Sequence, residues 1–226
     1  MSTIAQVKKL TKPILAGHPD LVLIKRLVIV RPVRHILRFV CVDQSSGKDG
    51  FYPSWSMMML FRYDAFISLN HYGGMYDKGF GHWIATKPGA DLALCAVVEQ
   101  TALPILRSVE TIGEFVAFHN KERFRDTYLD LYPARKIYAD VALGNRAAAL
   151  AHCAYFATDH ASRRYSQLMQ DDLDVIQQRL CPMILSDDVA GLAAFLHEME
   201  DITVKRHKLE HLWERTPFPL EECGWI

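Results

Sequence analysis

The chain has 226 residues, of which 50% are hydrophobic and 23% charged, and its formal net charge is zero. This length and composition are typical of a globular protein that buries a substantial core, and they exclude an intrinsically disordered chain. The five cysteines are odd in number and form no C-x-x-C pair, so we expect free thiols in a reducing cytoplasm and no disulfides.

The basic residues are concentrated at the start of the chain. The first forty residues carry eight Lys or Arg against one acidic residue, Asp20. Such a segment can bind nucleic acid or an acidic partner, with Arg34 and Arg38 as candidate contacts. The alternative is that it pairs with acidic clusters in the C-terminal half of the same chain. We favour this alternative, because a dedicated DNA-binding protein is more often basic overall.

The N-terminal part of the chain predicts a short helix followed by strands. Apolar residues at helical spacing predict a helix over 4–15 that ends at Gly17. LVLIKRLVIV at 21–30 is too short and too charged to cross a membrane, and its β-branched residues predict a strand. HILRFVCVD follows as a strand with one core face and one mixed face that carries Arg38, and RPVR between them predicts a hairpin turn at Pro32. WSMMMLFRY and AFISLNHY predict further strands, with the three consecutive methionines in the core.

Beyond about residue 90 the apolar period is that of helices. Pro104 is expected to kink or break the first helix near Ala102 or Leu103, since proline lacks the N–H that an α-helix uses. Thr111 and Glu114 have the spacing of a capping box, which predicts that a new helix begins there.

The C-terminal part predicts a helical hairpin and one more long helix. Two helical stretches meet at Gly144, which is suited to the C-cap of the first and predicts an αα-hairpin. The sequence ALGNRAAALAHCAYF resembles a hairpin of a tetratricopeptide-type repeat over about 20 residues. No second copy occurs at the period that such arrays require, so we interpret it as a packing style. The last long helix is expected to begin at Ser186 or Asp187 and to continue to Glu214, before an irregular tail.

These elements predict an α+β fold. A short N-terminal helix and an N-terminal antiparallel β-sheet of about four or five strands would pack on a C-terminal half of about five or six helices. The strand-rich half covers 1–88 and the helical half covers 89–226, as one compact domain or two tightly packed subdomains. The absence of βαβ alternation in the pattern excludes a parallel doubly wound sheet.

Near the end of the chain, His207, Glu210 and His211 spell H-x-x-E-H, the pattern of inverted zinc peptidases. On one helix the two histidines lie about 40° apart and could chelate zinc, with the glutamate activating a water. A zinc peptidase needs a further protein ligand, and the two histidines fall on the side away from the apolar residues. We therefore expect a solvated face, no metal and no cofactor, and keep His207 and His211 as the candidate ligands if a metal binds.

The sequence NHYGGMYDKGFGHW, residues 70–83, has the composition of a binding loop. Glycine lets the backbone approach a ligand, aromatic rings supply stacking surface, and histidine transfers protons near neutral pH. The alternative is a wide β-hairpin with glycine at its bulges. The candidate catalytic residues are His71, Asp77 and His82, and the candidate binding residues are Tyr72, Tyr76, Lys78 and Trp83.

No complete catalytic constellation occurs in the sequence, so we expect a soluble, cytoplasmic, non-enzymatic protein-interaction module of bacterial type. Its partner would be a protein of unknown identity, and neither a membrane nor a nucleic acid is the expected partner. One alternative is a small hydrolase-like enzyme that uses the loop at 70–83. A second alternative is nucleic-acid or acidic-partner binding through the basic N-terminal forty residues.

Overall fold

The computed structural model describes residues 2–63, 74–76, 82–121, 133–158 and 167–226. The predicted strand AFISLNHY lies outside the described residues. The chain divides into two compact units. The first comprises Met1–Met58 and Ile67–Glu110, and the second comprises Met59–Phe66 and Thr111–Ile226. The division at 88 and 89 stays a prediction. The predicted α+β class is confirmed, with an antiparallel sheet in the N-terminal part and a mostly helical C-terminal part.

The first unit combines one N-terminal helix, a sheet and one bent helix. In the described residues the sheet has four strands in the order β1-β2-β3-β4, and β1, β2 and β3 pair antiparallel. The bounds are α1 Ile4–Gly17, β1 Leu21–Ile24, β2 Leu27–Val30, β3 Ile36–Gln44, β4 Phe51–Met59, α2 Ala90–Val97 and α3 Leu103–Arg107.

The predicted N-terminal helix is confirmed as α1, and a capping box fixes its start. The Thr3 hydroxyl accepts from the Gln6 backbone N–H at 3.2 Å, and the Gln6 side chain accepts from the Thr3 N–H at 2.7 Å. Val7, Leu10 and Ile14 are buried at the spacing of one helix face.

The stretch LVLIKRLVIV is not a single strand, so that prediction is wrong. It folds into a tight hairpin of β1 and β2 in which Ile24 faces Leu27 across a two-residue turn. Lys25 takes a positive φ of 55° at the turn, without a glycine to signal it. The guanidinium of Arg26 donates to the Ser2 carbonyl at 2.6 Å and to the Val42 carbonyl at 3.0 Å, which anchors the turn.

The hairpin predicted at RPVR is confirmed, because β2 pairs antiparallel with β3 on either side of this segment. The predicted mixed face of β3 is wrong, since residues 36–42 are buried without alternation. Arg38 is only 3% exposed, and its guanidinium donates to the carbonyls of Pro32 at 3.0 Å and Leu106 at 3.3 Å. These hydrogen bonds make the burial of a charged residue tolerable. The three methionines at the end of β4 are buried, as expected.

The second unit is helical apart from the end of β4. Its elements are α4 Ile112–His119, α5 Pro133–Ala142, α6 Arg146–Phe156, α7 Gln167–Val175, α8 Cys181–Leu185, α9 Val189–His207 and α10 Pro219–Cys223. The predicted capping box of α4 is confirmed, since the Thr111 hydroxyl accepts from the Glu114 N–H at 3.1 Å and the Glu114 carboxylate accepts from the Thr111 N–H at 2.9 Å. The predicted αα-hairpin is also confirmed: Gly144, with a φ of 75°, separates α5 from α6.

Two ends of predicted helices need correction. Helix α9 begins one residue later than expected, because Asp188 is the N-cap whose carboxylate accepts from the Gly191 N–H at 2.9 Å. The tail is not wholly irregular. Pro219 begins the short helix α10, where a proline needs no N–H partner, and the Glu221 carboxylate accepts from the Phe218 N–H at 2.6 Å.

A proline in each of two long helices is accommodated by a π-helical turn. Helix α2 continues into α3 through Val98–Ala102, where the Leu103 N–H donates to the Val98 carbonyl. Helix α7 continues into α8 through Ile176–Leu180 in the same way. Proline lacks an N–H and clashes with the carbonyl four residues earlier, and a wider turn relieves both problems. The predicted break at Ala102 or Leu103 is therefore a change of helical register.

The two bent helices are also alike in sequence. VVEQTALPILRS at 97–108 and VIQQRLCPMILS at 175–186 share Val, Gln, Pro and Ser at equivalent positions, 78 residues apart. The equivalent apolar positions are buried in both segments, namely Val98, Ala102 and Leu106 in the first and Ile176, Leu180 and Ile184 in the second. The repeated segment is thus a structural unit of helix, π turn, proline and helix.

Within the described residues, no single helix has both the length and the apolar composition that crossing a membrane requires. One bent pair of helices, Ala90–Arg107 with Ile112–His119, meets these criteria only when the two are taken together. Buried core helices of proteins without a membrane meet the same criteria.

Candidate functional site

A groove lies between α6 and the bent helix α7–α8 of the second unit. Its volume is about 430 Å³, within the range of small-ligand and side-chain pockets. The lining residues are Leu150, Cys153 and Ala154 on α6, Ala157 directly after its end, and Gln177, Cys181, Pro182 and Leu185 on the bent helix. We call this surface the α6–α8 groove.

The two walls of the α6–α8 groove run antiparallel. At one end, Arg146 and Asp187 form an exposed ion pair at 2.6 Å. In the middle, Cys153 and Cys181 meet in the floor. At the other end, the Gln177 side-chain amide donates to the backbone carbonyl of Phe156. From Gln177 to Leu185 the wall is about 12 Å long, at 1.5 Å per helical residue.

The expectation of no disulfides is wrong. Cys153 and Cys181 form a disulfide, with their Cα atoms 5.6 Å apart and a separation of 28 positions in the sequence. That Cα separation is normal for a disulfide, and it arises because α6 packs directly beside the start of α8. The free cysteines are Cys41, Cys95 and Cys223.

Small residues leave the groove open. Ala154 on α6 and Ala157, its C-cap residue, are exposed and carry only methyl side chains, so this side of the groove is shallow. Leu185 at the rim is 67% exposed, which is a high value for a large apolar residue on a helix. The surface is therefore apolar, with one polar side chain, Gln177.

One exposed carboxylate, Asp174, lies next to the Gln177 end of the groove. Asp174 lies one turn before Gln177 on the bent helix, about 60° around its axis, and is exposed. Asp171 is also exposed, but it lies about 120° around the helix from Gln177 and so points away from the groove. The neighbouring Asp172 points inward instead, where it accepts from the buried Tyr138 hydroxyl at 2.9 Å and so positions α7 against α5. Burial raises the pKa of Tyr138 well above its ordinary value, and Asp172 adds to the effect.

His152, the residue before Cys153, faces away from the groove. Its Nε2 atom lies 2.9 Å from the Asp140 carboxylate, and the Asn145 amide donates to the other oxygen of that carboxylate at 3.3 Å. These contacts hold α5 to α6. Adjacent residues on a helix point about 100° apart, so the imidazole of His152 and the sulfur of Cys153 lie on different faces of α6.

A second polar cluster lies where the C-terminal segment meets α9. His197 is almost fully buried, with its Nε2 atom 2.9 Å from the Glu221 carboxylate and its Nδ1 atom 3.6 Å from the fully buried Glu200. Glu200, and then Glu221, raise the pKa of His197 above its ordinary value of 6.5, and burial and Arg215 oppose them. The ring of Phe218 covers the imidazole at 4.7 Å between centroids.

We expect this cluster to make the stability of the second unit depend on pH. The pKa of His197 is raised by folding, so its contribution to stability is fully present below pH 6.5 and is lost as pH rises through the folded-state pKa. The free energy of unfolding, measured by urea denaturation at closely spaced pH values, should fall over that window. His197→Gln should remove this part of the slope. His211→Gln, at an exposed position, should keep it, and an unchanged slope in His197→Gln would contradict the assignment.

The first unit holds a polar network around His18. The His18 Nε2 atom lies 2.9 Å from Glu99, Arg107 donates to His18 Nδ1 at 3.1 Å, and Arg107 also forms a two-point pair with Asp20. Cys95 donates to the same Glu99 oxygen at 3.5 Å. Burial, with that hydrogen bond, raises the pKa of Cys95 to about 11, so the thiol stays protonated and is a poor nucleophile near neutral pH. The network therefore ties α1 to the bent helix.

The predicted binding loop is only partly described. His71, Tyr72, Asp77 and Lys78 lie outside the described residues, so whether the predicted catalytic trio converges stays a prediction. Trp83 is buried, and its Nε1 atom donates to the Met75 carbonyl at 2.9 Å. His82 is exposed, and Tyr76 is 77% exposed.

The described residues of this loop lie along the outer edge of β4. The Met75 N–H donates to the Pro53 carbonyl at 2.9 Å, and the Phe51 N–H donates to the Trp83 carbonyl at 3.1 Å. The Trp83 ring packs against Phe51, with centroids 5.4 Å apart. These backbone contacts cover part of an otherwise open sheet edge.

The H-x-x-E-H residues do not share a helix, so the prediction of a helix to Glu214 is wrong. Helix α9 ends at His207, and Lys208 follows with a φ of 58°, a left-handed cap. Glu210 and His211 therefore leave the helical register on which the zinc-peptidase geometry depends. In the described part of the chain, no group of three or more His, Cys, Asp or Glu is arranged to hold a metal ion.

The basic residues of the N-terminal forty differ in their structural surroundings. Arg26 and Arg38 are engaged with backbone carbonyls, as described above, and Arg31 donates to the Pro19 carbonyl. Arg34 is exposed. Binding of nucleic acid through this segment stays a prediction.

Sequence reasoning missed the α6–α8 groove. The local signal for this groove was the run of small residues in ALGNRAAALAHCAYF. We interpreted that run as close packing between helices and not as a groove. No protein-family model, no curated protein and no solved structure matches the chain.

Proposed function

We propose that the protein is a non-enzymatic protein-interaction module, and that the α6–α8 groove of the second unit is its binding surface. The occupant is an amphipathic helix of a partner protein with an apolar face and basic flanking residues. The observation that carries this proposal is the groove itself, an apolar channel about 430 Å³ in volume between two helices.

The shape of the groove favours a helix as its occupant. A wall about 12 Å long matches roughly two turns of a partner helix, which place apolar side chains at positions i, i+4 and i+7 on one face. Leu150 and Leu185 supply apolar rims, and Ala154 and Ala157 leave room for a large side chain between them. The disulfide in the floor adds a further apolar, polarisable surface.

The charges at the groove favour a basic partner. Asp174 supplies an exposed carboxylate next to the Gln177 end of the groove, while the basic Arg146 at the far end is paired with Asp187. A lysine or arginine one turn beyond the apolar anchors of the partner would meet Asp174. Charge complementarity of this kind sets orientation and association rate more than it sets affinity.

The proposal predicts that a substitution that fills the groove weakens binding. The probe is a synthetic peptide of about 15 residues with leucines on one helical face and lysines on the other. Ala154→Trp should raise its Kd by about tenfold or more, because the indole occupies the space that the leucines enter. Ala151→Trp is the matched control, since Ala151 is exposed on the same helix but does not line the groove.

The measurement is fluorescence anisotropy of the labelled peptide, with the folded state of each variant checked by circular dichroism. A peptide with glutamate in place of lysine should bind more weakly than the lysine peptide to the unsubstituted protein. Equal Kd values for Ala154→Trp and Ala151→Trp would defeat the proposal, as would the absence of any binding by the lysine peptide.

A further inference from the structure

We propose that the α6–α8 groove is redox-controlled, with the Cys153–Cys181 disulfide holding its two walls in the arrangement that binds and reduction by a dithiol lowering its affinity. This inference rests on the proposed function and names the regulation of that same site. The structural observation that supports it is the position of the disulfide, which lies in the groove floor and joins one wall to the other.

The disulfide is the strongest tie between the walls along the groove. At one end the Arg146–Asp187 pair is exposed on both sides, and exposed ion pairs contribute little to stability. At the other end Gln177 donates a single hydrogen bond to a backbone carbonyl. Between these ends, the covalent bond joins Cys153 of α6 directly to Cys181 of α8.

Reduction changes the geometry of the floor. Two thiols cannot occupy the positions of two bonded sulfur atoms, since unbonded sulfurs need a full van der Waals separation. Either the walls move apart at Cys153 and Cys181, or a thiol turns into the channel. Both changes remove the preformed shape that a partner helix would use, and loss of preorganisation lowers affinity.

The reaction is a thiol–disulfide exchange with a dithiol reductant. One thiolate of the reductant attacks a sulfur of the pair and forms a mixed disulfide, and its second thiolate displaces the protein thiolate. Cys153 and Cys181 together gain two electrons and two protons, and the reductant leaves as its own disulfide. Both cysteines are 7% exposed and line an open groove, which gives the reductant a path to them.

The proposed redox control could operate in an oxidising or in a reducing compartment. In an oxidising compartment it would keep the groove in its binding form, and in a reducing one it would report oxidation. Two of the other three cysteines, Cys41 and Cys95, are unreactive near neutral pH. Burial raises the pKa of Cys41 to about 12, and the Cys95 thiol is held protonated as described above.

The test compares the Kd of the leucine–lysine peptide for the oxidised protein and for the protein kept in dithiothreitol. Mass spectrometry after alkylation counts the thiols in each sample. We expect reduction to raise the Kd by about tenfold. Cys153→Ser combined with Cys181→Ser, which cannot form the bond but keeps a hydroxyl at each position, should bind weakly with or without dithiothreitol. Cys223→Ala is the control, because it removes an exposed free cysteine and should leave the redox response intact.

The outcomes separate this inference from the function on which it rests. Tight and equal binding in both redox states, with the thiols shown to be reduced, would overturn redox control and leave the groove as a binding surface. Failure of the peptide to bind in either state would defeat the proposed function and the inference together.

Discussion

Replacing Phe218 by alanine is expected to lower the free energy of unfolding of the second unit by about 3 to 5 kcal/mol, the cost of deleting a fully buried aromatic side chain. Phe218 is 0% exposed and packs edge-on against Phe61, with ring centroids 5.2 Å apart. It also covers His197. The substitution would leave a cavity at the point where the C-terminal segment joins the helices of its unit, and it would uncover a buried imidazole.

Urea denaturation followed by circular dichroism measures this effect. Glu222→Ala is the control, since Glu222 is exposed on the same short helix and should change stability by less than about 0.5 kcal/mol. Similar unfolding midpoints for the two variants would mean that Phe218 is not part of the core of the second unit.

Gly144→Ala is expected to cost about 2 to 4 kcal/mol, because two separate penalties act at this turn. Gly144 has a φ of 75°, in the left-handed region that favours glycine. A Cβ atom there would lie 2.3 Å from the backbone oxygen of Gly224, which is too close for any real contact. The Ile226 N–H also donates to the Gly144 carbonyl at 2.7 Å, so the C-terminal segment cannot shift away without losing this bond.

The same substitution at Gly113 should raise the free energy of unfolding instead of lowering it. Gly113 lies within α4 and nothing crowds its Cβ position, since the nearest atom is the Thr111 hydroxyl oxygen at 4.0 Å. Alanine is the better helix former there by up to about 1 kcal/mol, so Gly113→Ala should stabilise the protein. Thermal unfolding of both variants measures the contrast, and a Gly144→Ala protein as stable as the unsubstituted chain would contradict the observed turn.

The elements that the sequence predicted correctly carry their signals locally. The Thr111 and Glu114 spacing marked the start of α4, and Gly144 marked the turn between α5 and α6, because each signal depends on residues a few positions apart. The β1–β2 hairpin was missed because its turn lacks the Asn-Gly or Gly residues that normally predict such turns. Lys25 adopts the positive φ instead. An apolar run interrupted only by charges then looked like one strand.

The candidate site could not be predicted for a different reason. A groove is the gap that remains between two packed helices. The sequence alone does not show which alanines face a second helix and which face solvent. The disulfide depends on α6 packing beside α8, a contact between residues 28 apart in the sequence. The repeat of VVEQTALPILRS in VIQQRLCPMILS was visible in the sequence, but the π turn that it encodes depends on how each helix accommodates its proline.

The measurement that tests the central claim most directly is methyl NMR of the alanine and leucine residues during titration with the leucine–lysine peptide. The account predicts that the largest shifts occur at the four lining methyl-bearing residues, Leu150, Ala154, Ala157 and Leu185, and that they saturate together. Saturable shifts confined to the first unit, or no shifts at these four residues at peptide concentrations well above the Kd, would contradict the assignment of the α6–α8 groove as the binding surface.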